Sequence, residues 1–160
     1  QTYAIGKLNL WLKNCVTAPA ISILAEEKIR KIAIANPKLA PYGHASQKLL
    51  EKYQLWEKLT PKLIYSENIA QVAQLAKLGV IDAALIAESN AAKLTLNEKH
   101  CLVKLDTIDY PAISQQLVIM TNSQNKPAAR EFALFLKSKK AQSLIKNMGY
   151  LTSNSARIAP

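Results

Sequence analysis

Apolar positions recur along this chain with two periods, and the switches between them mark out its elements. Over residues 3–11, Tyr3, Ile5, Lys7, Asn9 and Trp11 alternate with Ala4, Leu8 and Leu10. That period of two predicts one strand, closed by Lys13-Asn14. Pro19 stands near the start of a helical stretch, residues 20–28, whose Glu26-Glu27 and following basic residues give it an exposed face. The apolar run of residues 31–35 is the next strand, stopped by the turn signal Asn36-Pro37.

The pattern then settles into strand, loop, helix. A helical period covers residues 42–53, with Leu49, Leu50 and Tyr53 inward. Residues 62–65 read as a short strand, Ser66-Glu67-Asn68 as a capping stretch, and residues 69–78 as a helix ended by Gly79, with Ile69, Val72, Ala73 and Ala76 on one face. Residues 82–87 are a buried strand, Glu88-Ser89-Asn90 leads into a weaker helix near Ala91, and residues 100–104 are strand again. Strands alternating with helices predict an α/β sandwich on a mainly parallel sheet. Residues 113–121 are rich in strand formers, and the tail is helical, with Pro127 at a helix start and Gly149 at an end.

Composition changes this picture little. A length of 160 residues with 49% apolar and 20% charged residues is an ordinary globular mixture. No apolar stretch approaches the roughly 20 residues of a membrane span, and no basic and apolar leader opens the chain. A soluble chain without its export signal is expected. The formal charge of +10 favours anionic ligands of any size. The lysines, among them Lys48, Lys62, Lys93 and Lys99, are scattered, and aromatics make up only 6%, so no base-stacking nucleic-acid platform is expected. Cys15 and Cys101 are far apart and form no metal motif; two buried or half-buried thiols are favoured over a disulfide.

Three loops lie where a strand's carboxyl end meets a helix N-terminus, a place that offers free N–H groups and partial positive charge to an anion. The first is Pro41-Tyr42-Gly43, where Tyr42 can donate from its backbone and Gly43 permits close approach. At the second, Ser66-Glu67-Asn68-Ile69, helix capping by Ser66 or Asn68 is the simpler reading. The third is Glu88-Ser89-Asn90. His44 and His100 are far apart and adjoin no nucleophile motif, so an enzyme is not expected; His44 reads as a solvent-facing helix residue.

Several segments resemble, in order and spacing, the molybdate-binding proteins of ABC importers. They are Tyr3-Ala4-Ile5-Gly6-Lys7-Leu8, the run Ala35-Asn36-Pro37-Lys38-Leu39-Ala40-Pro41-Tyr42-Gly43, Leu55-Trp56-Glu57-Lys58-Leu59, Glu67-Asn68-Ile69-Ala70-Gln71, Phe135-Leu136-Lys137-Ser138 and Gly149-Tyr150. The resemblance implies a periplasmic, two-lobed type II binding fold closing on a tetrahedral oxyanion, molybdate or tungstate. It implies no cofactor, no metal held by side chains, and a membrane permease as partner. Carried over residue by residue, it makes the Tyr42 and Ile69 N–H groups donors into one shared cleft, with Gly43 and Asn68 beside them. A tyrosine hydroxyl that some members use is replaced here by Ala87.

The resemblance lacks its beginning. Family members open with two serine-bearing loops that supply further donors, and neither occurs here. The implied division is a crossover strand in residues 1–11, a complete second lobe in residues 12–108, and a return crossover with C-terminal helices of an incomplete first lobe in residues 109–160. Residues 113–121 and the helices bearing Phe132, Phe135, Leu136, Leu144 and Ile145 then need cover from an N-terminal fragment or a second copy. The alternative is a ligand-sensing or interaction module of the same fold that has lost anion binding.

Overall fold

The computed structural model describes residues 1–17, 20–91, 94 and 100–152; Pro19, Lys93 and Lys99 lie outside them. In chain order the elements are β1 (Thr2–Gly6), β2 (Leu8–Leu12), β3 (Ile32–Ala35), α1 (Pro41–Lys52), α2 (Trp56–Leu59), β4 (Leu63–Ser66), α3 (Ile69–Leu78), β5 (Ala83–Ala87), α4 (Glu88–Ala91) and β6 (Cys101–Lys104). After these come β7 (Ile113–Gln116), α5 (Lys126–Leu136), α6 (Lys139–Asn147) and β8 (Leu151–Thr152).

The single strand expected over residues 3–11 is two strands in two sheets. β1 lies at the centre of a three-stranded antiparallel sheet, β7-β1-β8, and β2 joins a five-stranded sheet, β4-β3-β5-β2-β6. The break falls at Gly6-Lys7. The five-stranded sheet is mixed, which corrects the mainly parallel expectation: β3 runs parallel to β4 and β5, and β2 runs antiparallel to β5 and β6. Only the strands joined by α1 and α3 are bound to run parallel, because a helical crossover returns the chain to the same edge. β2 enters from outside that succession.

The pleat divides the five-stranded sheet's side chains between two cores. On one face Leu8, Leu10, Leu12, Ile32, Ile34 and Leu85 pack with Leu49 and Leu50 of α1. On the other, Trp11, Ala33, Ala35, Ala84 and Ile86 pack with Val72 and Ala76 of α3. Every residue of β2, β3 and β5 is buried. This is a three-layer α/β sandwich.

Local chemistry sets the helix ends. α3 begins at Asn68, whose Oδ1 accepts from the N–H groups of Ala70 and Gln71, and ends at Gly79, held at φ 65° where an L side chain is disfavoured. α1 ends at Lys52, so Tyr53 leaves the helical period and is 43% exposed, not inward. The helix expected over residues 20–28 is a 3-10 turn, Ile21–Ala25, bonded from Ile23 to Ala20 and from Glu26 to Ile23; the β-branched Ile21 and Ile23 disfavour a longer α-helix. The strand expected over residues 113–121 stops at Gln116, because pairing with β1 ends at Gln1 and Leu117.

Cys15 and Cys101 form a disulfide, which overturns the expectation of two thiols. Their Cα atoms are 5.1 Å apart, within the span a bridge needs. The bond fastens the segment leaving β2 to the first residue of the edge strand β6.

Candidate anion-binding site

The carboxyl ends of β3, β4 and β5 form one continuous edge, and each is followed by a helix. Ala35 of β3 is in register with Ser66 of β4, and Asn36 donates from its N–H to the Ser66 carbonyl at 2.7 Å just beyond. The N-termini of α1 and α3 therefore lie at the ends of adjoining parallel strands. This is the place where open α/β sheets hold ligands.

The two termini are finished differently. At α1, Ala40 is the N-cap, provides no side-chain acceptor, and its carbonyl takes the first helical bond from His44. Pro41 has no N–H, which leaves the N–H groups of Tyr42 and Gly43 as the orphan donors of the first turn. At α3, Asn68 Oδ1 consumes the donors of Ala70 and Gln71 at 3.1 Å each, and only the Ile69 N–H of the first turn is left. At Asn68-Ile69 the side chain caps, and the next amide stays free among the described residues.

Gly43 owes its missing side chain to the fold's own backbone. A Cβ there would stand 2.3 Å from the Ala35 carbonyl oxygen and 2.6 Å from the Asn36 carbonyl. The close approach seats the first turn of α1 on the end of β3. The Tyr42 side chain is buried, and its phenol occupies the space that a Cβ on Gly6 would need, 2.2 Å from Oη. Burial first, then the neighbouring Tyr150 and Tyr110 phenols, hold its hydroxyl well above the usual tyrosine range, so it stays a neutral donor.

Other groups converge on the same break between the sheets. Tyr110 Oη accepts from the Leu8 N–H at 2.9 Å, and burial dominates in raising its hydroxyl's pKa. Lys7 is joined to Glu88 twice, through a 2.8 Å ion pair and through the Glu88 N–H to the Lys7 carbonyl at 2.9 Å. Gly149, at φ 88°, lies so close that a Cβ would come within 3.2 Å of the Ser89 N. Sequence reasoning passed over Gly6 and Tyr110 as parts of this cluster and named Glu88 only within the third candidate loop. The one visible signal was the scarcity of glycine, four in the chain.

Of the remaining candidates, Asn90 donates from Nδ2 to the Ile69 carbonyl at 3.3 Å, which brings the Glu88-Ser89-Asn90 stretch beside α3. His44 is exposed on α1, and His100 packs edge-on against Trp11, with ring centroids 5.2 Å apart. Two open grooves flank the edge. One, of about 380 Å³, is lined by Asn36, Lys38, Gln47, Trp56 and Tyr65; the other, of about 270 Å³, by Ala70, Gln74, Lys77 and Asn90. Neither is lined by Tyr42, Gly43 or Ile69.

This arrangement, an α/β sandwich joined to a second sheet through paired connections with free helix N-termini at the junction, is that of type II periplasmic binding proteins. The family model described as bacterial extracellular solute-binding protein matches residues 1–151, and the chain belongs to that family. It is 36% identical over 153 residues to the molybdate-binding protein of Azotobacter vinelandii, covering 93% of this chain and 60% of that one. To the molybdate-binding protein of Rhodobacter capsulatus it is 30% identical over 151 residues, covering 94% and 59%. The solved periplasmic molybdate-binding protein of Azotobacter vinelandii superposes with a TM-score of 0.82 at 31% identity, covering 94% of this chain and 67% of that chain. The chain thus spans about 60% of the length of these curated relatives.

Proposed function

We propose that this chain supplies one wall of a tetrahedral oxyanion site, for molybdate or tungstate, in the periplasmic solute-binding component of an ABC importer. The observation that carries the reading is the pair of helix N-termini at adjoining strand ends, where the N–H groups of Tyr42 and Ile69 have no partner among the described residues. Such donors hold a dianion without a cationic side chain, and their number and spacing select by size. Gly43 seats the first donor, and Asn68 leaves the second free by capping the amides behind it.

In this reading the crossover lies at Gly6-Lys7 and not across residues 1–11, because β2 already belongs to the five-stranded sheet; residues 8–108 form the second lobe, and residues 109–160 the return with the helices of an incomplete first lobe. The relatives named as molybdate-binding support the choice of ligand. The opposite wall comes from a further segment or a second copy, and the closed protein delivers its anion to a membrane permease. No catalytic step and no cofactor enter.

Calorimetric titration with molybdate, tungstate, sulfate and phosphate tests this. The 160-residue chain alone is expected to bind weakly, and tightly once the opposite wall is supplied. Ile69→Pro removes one donor cleanly: position 69 opens α3, where proline is tolerated, and Asn68 at φ −147°, ψ 167° already has the backbone a proline requires before it. Loss of one charge-assisted hydrogen bond should weaken the completed site about 10- to 100-fold. Unchanged affinity in that variant removes Ile69 from the site, and failure of the completed protein to bind molybdate or tungstate removes the reading.

A further inference from the structure

Two chain connections join the sheets: Gly6-Lys7 between β1 and β2, and residues 105–112 between β6 and β7. The second connection is strapped to the five-stranded sheet along most of its length. Asp109 accepts from Lys52 Nζ at 2.6 Å and from Tyr53 Oη at 2.7 Å, both at the C-terminal end of α1. The next residue, Tyr110, is buried and reaches the first residue of β2, where its Oη accepts the Leu8 N–H. That amide stands just beyond the β2–β6 ladder, which begins at Asn9 opposite Lys104. The phenol takes the place of a strand partner at the last position before the sheets part.

We propose that Tyr110 is the clamp that ties the second connection to the start of β2, next to the first connection, with Asp109 as the residue that positions it. β2 is held from Leu8 onward by its pairing with β5, and through the clamp everything up to Tyr110 in the second connection also belongs mechanically to the five-stranded sheet. Bending between the sheets is confined to Gly6-Lys7 and to Pro111-Ala112. On the first connection the pivot sits under the Tyr42 phenol, since Gly6 and that ring are in contact. A rotation of one sheet against the other must slide Gly6 across the residue whose amide opens α1. The clamp is independent of which ligand the cleft takes, or whether it takes one.

Amide hydrogen exchange by NMR on the 160-residue chain tests the clamp. In Tyr110→Phe, which keeps the ring and deletes the acceptor, the Leu8 amide should exchange about tenfold faster, with the Leu10 and Leu12 amides unchanged. In Asp109→Asn, which leaves the phenol in place, Leu8 should accelerate by a smaller factor, together with Ile108 and Tyr110. Backbone relaxation should show slow exchange at Gly6, Lys7 and Ala112 in the wild type, spreading to Leu8 and position 110 in Tyr110→Phe. An unchanged Leu8 rate in Tyr110→Phe overturns the clamp. So does an equal acceleration at Leu8, Leu10 and Leu12, because the phenol would then be supporting the whole strand. An effect of Asp109→Asn that leaves Leu8 untouched overturns the positioning role alone.

Discussion

The five-stranded and three-stranded sheets share one chain yet stand in opposite conditions. The first is covered on both faces, with α1 and α2 over one core and α3 and α4 over the other. The second carries helices that turn only small residues inward: Ala133 is the buried residue of α5, and Ala141 that of α6. Leu136 and Ile145 are half-buried, but most of the helices' large apolar side chains face outward, with Phe132 60%, Leu134 69% and Leu144 54% exposed. Val118 and Met120, beyond β7, are 76% and 63% exposed. Isolated exposed leucines are common, but a grouping of this kind is the surface for which a further segment or a second copy is proposed as cover. The helices form because local signals suffice: Pro127 in the first turn of α5 and the Ser138 hydroxyl capping Ala141 in α6. Local consistency fixes an element, and burial decides whether the element is at rest.

Substitution separates the two regions most sharply. Leu85, fully buried at the centre of the five-stranded sheet, should lose about 4 kcal/mol of stability on replacement by alanine, from lost transfer energy and the cavity left behind. Phe132→Ser should change stability by no more than about 0.5 kcal/mol in the chain alone and should reduce self-association. Urea denaturation and light scattering measure both. If Phe132→Ser destabilises the isolated chain as strongly as Leu85→Ala, the outward face is already covered and the contrast between the regions fails.

The disulfide sharpens the same contrast at somewhat smaller magnitude. It closes a loop of 86 residues containing β3, β4, β5 and the helices between them, all on the five-stranded side. The chain-entropy limit for a loop of this length is about 4.5 kcal/mol, of which disulfides typically deliver about 3 kcal/mol. Reduction should therefore lower the protection of amides in β2, β3 and β5 and leave those of α5 and α6 unchanged. Equal loss in both regions would mean that the sheets unfold as one unit.

What could be read from the sequence followed the same division between local and distant causes. Residues 69–78 were legible to both ends because Asn68 and Gly79 act on their own neighbours. The break at Gly6-Lys7 was hidden, since the alternation of residues 3–11 runs through it and only the partner strands reveal two sheets. The pairing of Cys15 with Cys101 and the placement of β2 antiparallel beside β5 rest on contacts between distant residues that no local pattern encodes. The loops at Pro41-Tyr42-Gly43 and at residues 66–69 were candidates from the residues themselves, and family resemblance chose the Tyr42 and Ile69 amides within them. What geometry adds is the inventory of free and capped amides at Tyr42, Gly43 and Ile69, together with the burial of the Tyr42 phenol on Gly6.

The smallest effect concerns the strap between the regions, and it has a definite sign in pH. The hydrogen bonds from Lys52 and Tyr53 hold the Asp109 carboxyl below its usual range. A depressed carboxylate pKa contributes stability that is fully present above the unfolded value, about 3.9, and is lost as pH falls through the folded value. The same bond raises the pKa of Lys52, so its share is present below the ordinary lysine value and disappears only as pH rises through the folded one. Between these limits the strap is intact. Because Lys52 and Tyr53 are largely solvated, the contribution is modest and screened by salt. Urea midpoints measured from pH 5 down to pH 2 should fall less steeply in Asp109→Asn than in the wild type. Glu51, also held low by Lys48 and Gln47, titrates alike in both proteins and cancels in the difference. Parallel acid limbs for the two proteins would show that Asp109 is no better paired in the folded chain than in the unfolded one, and Tyr110 alone would then hold the connection to the five-stranded sheet.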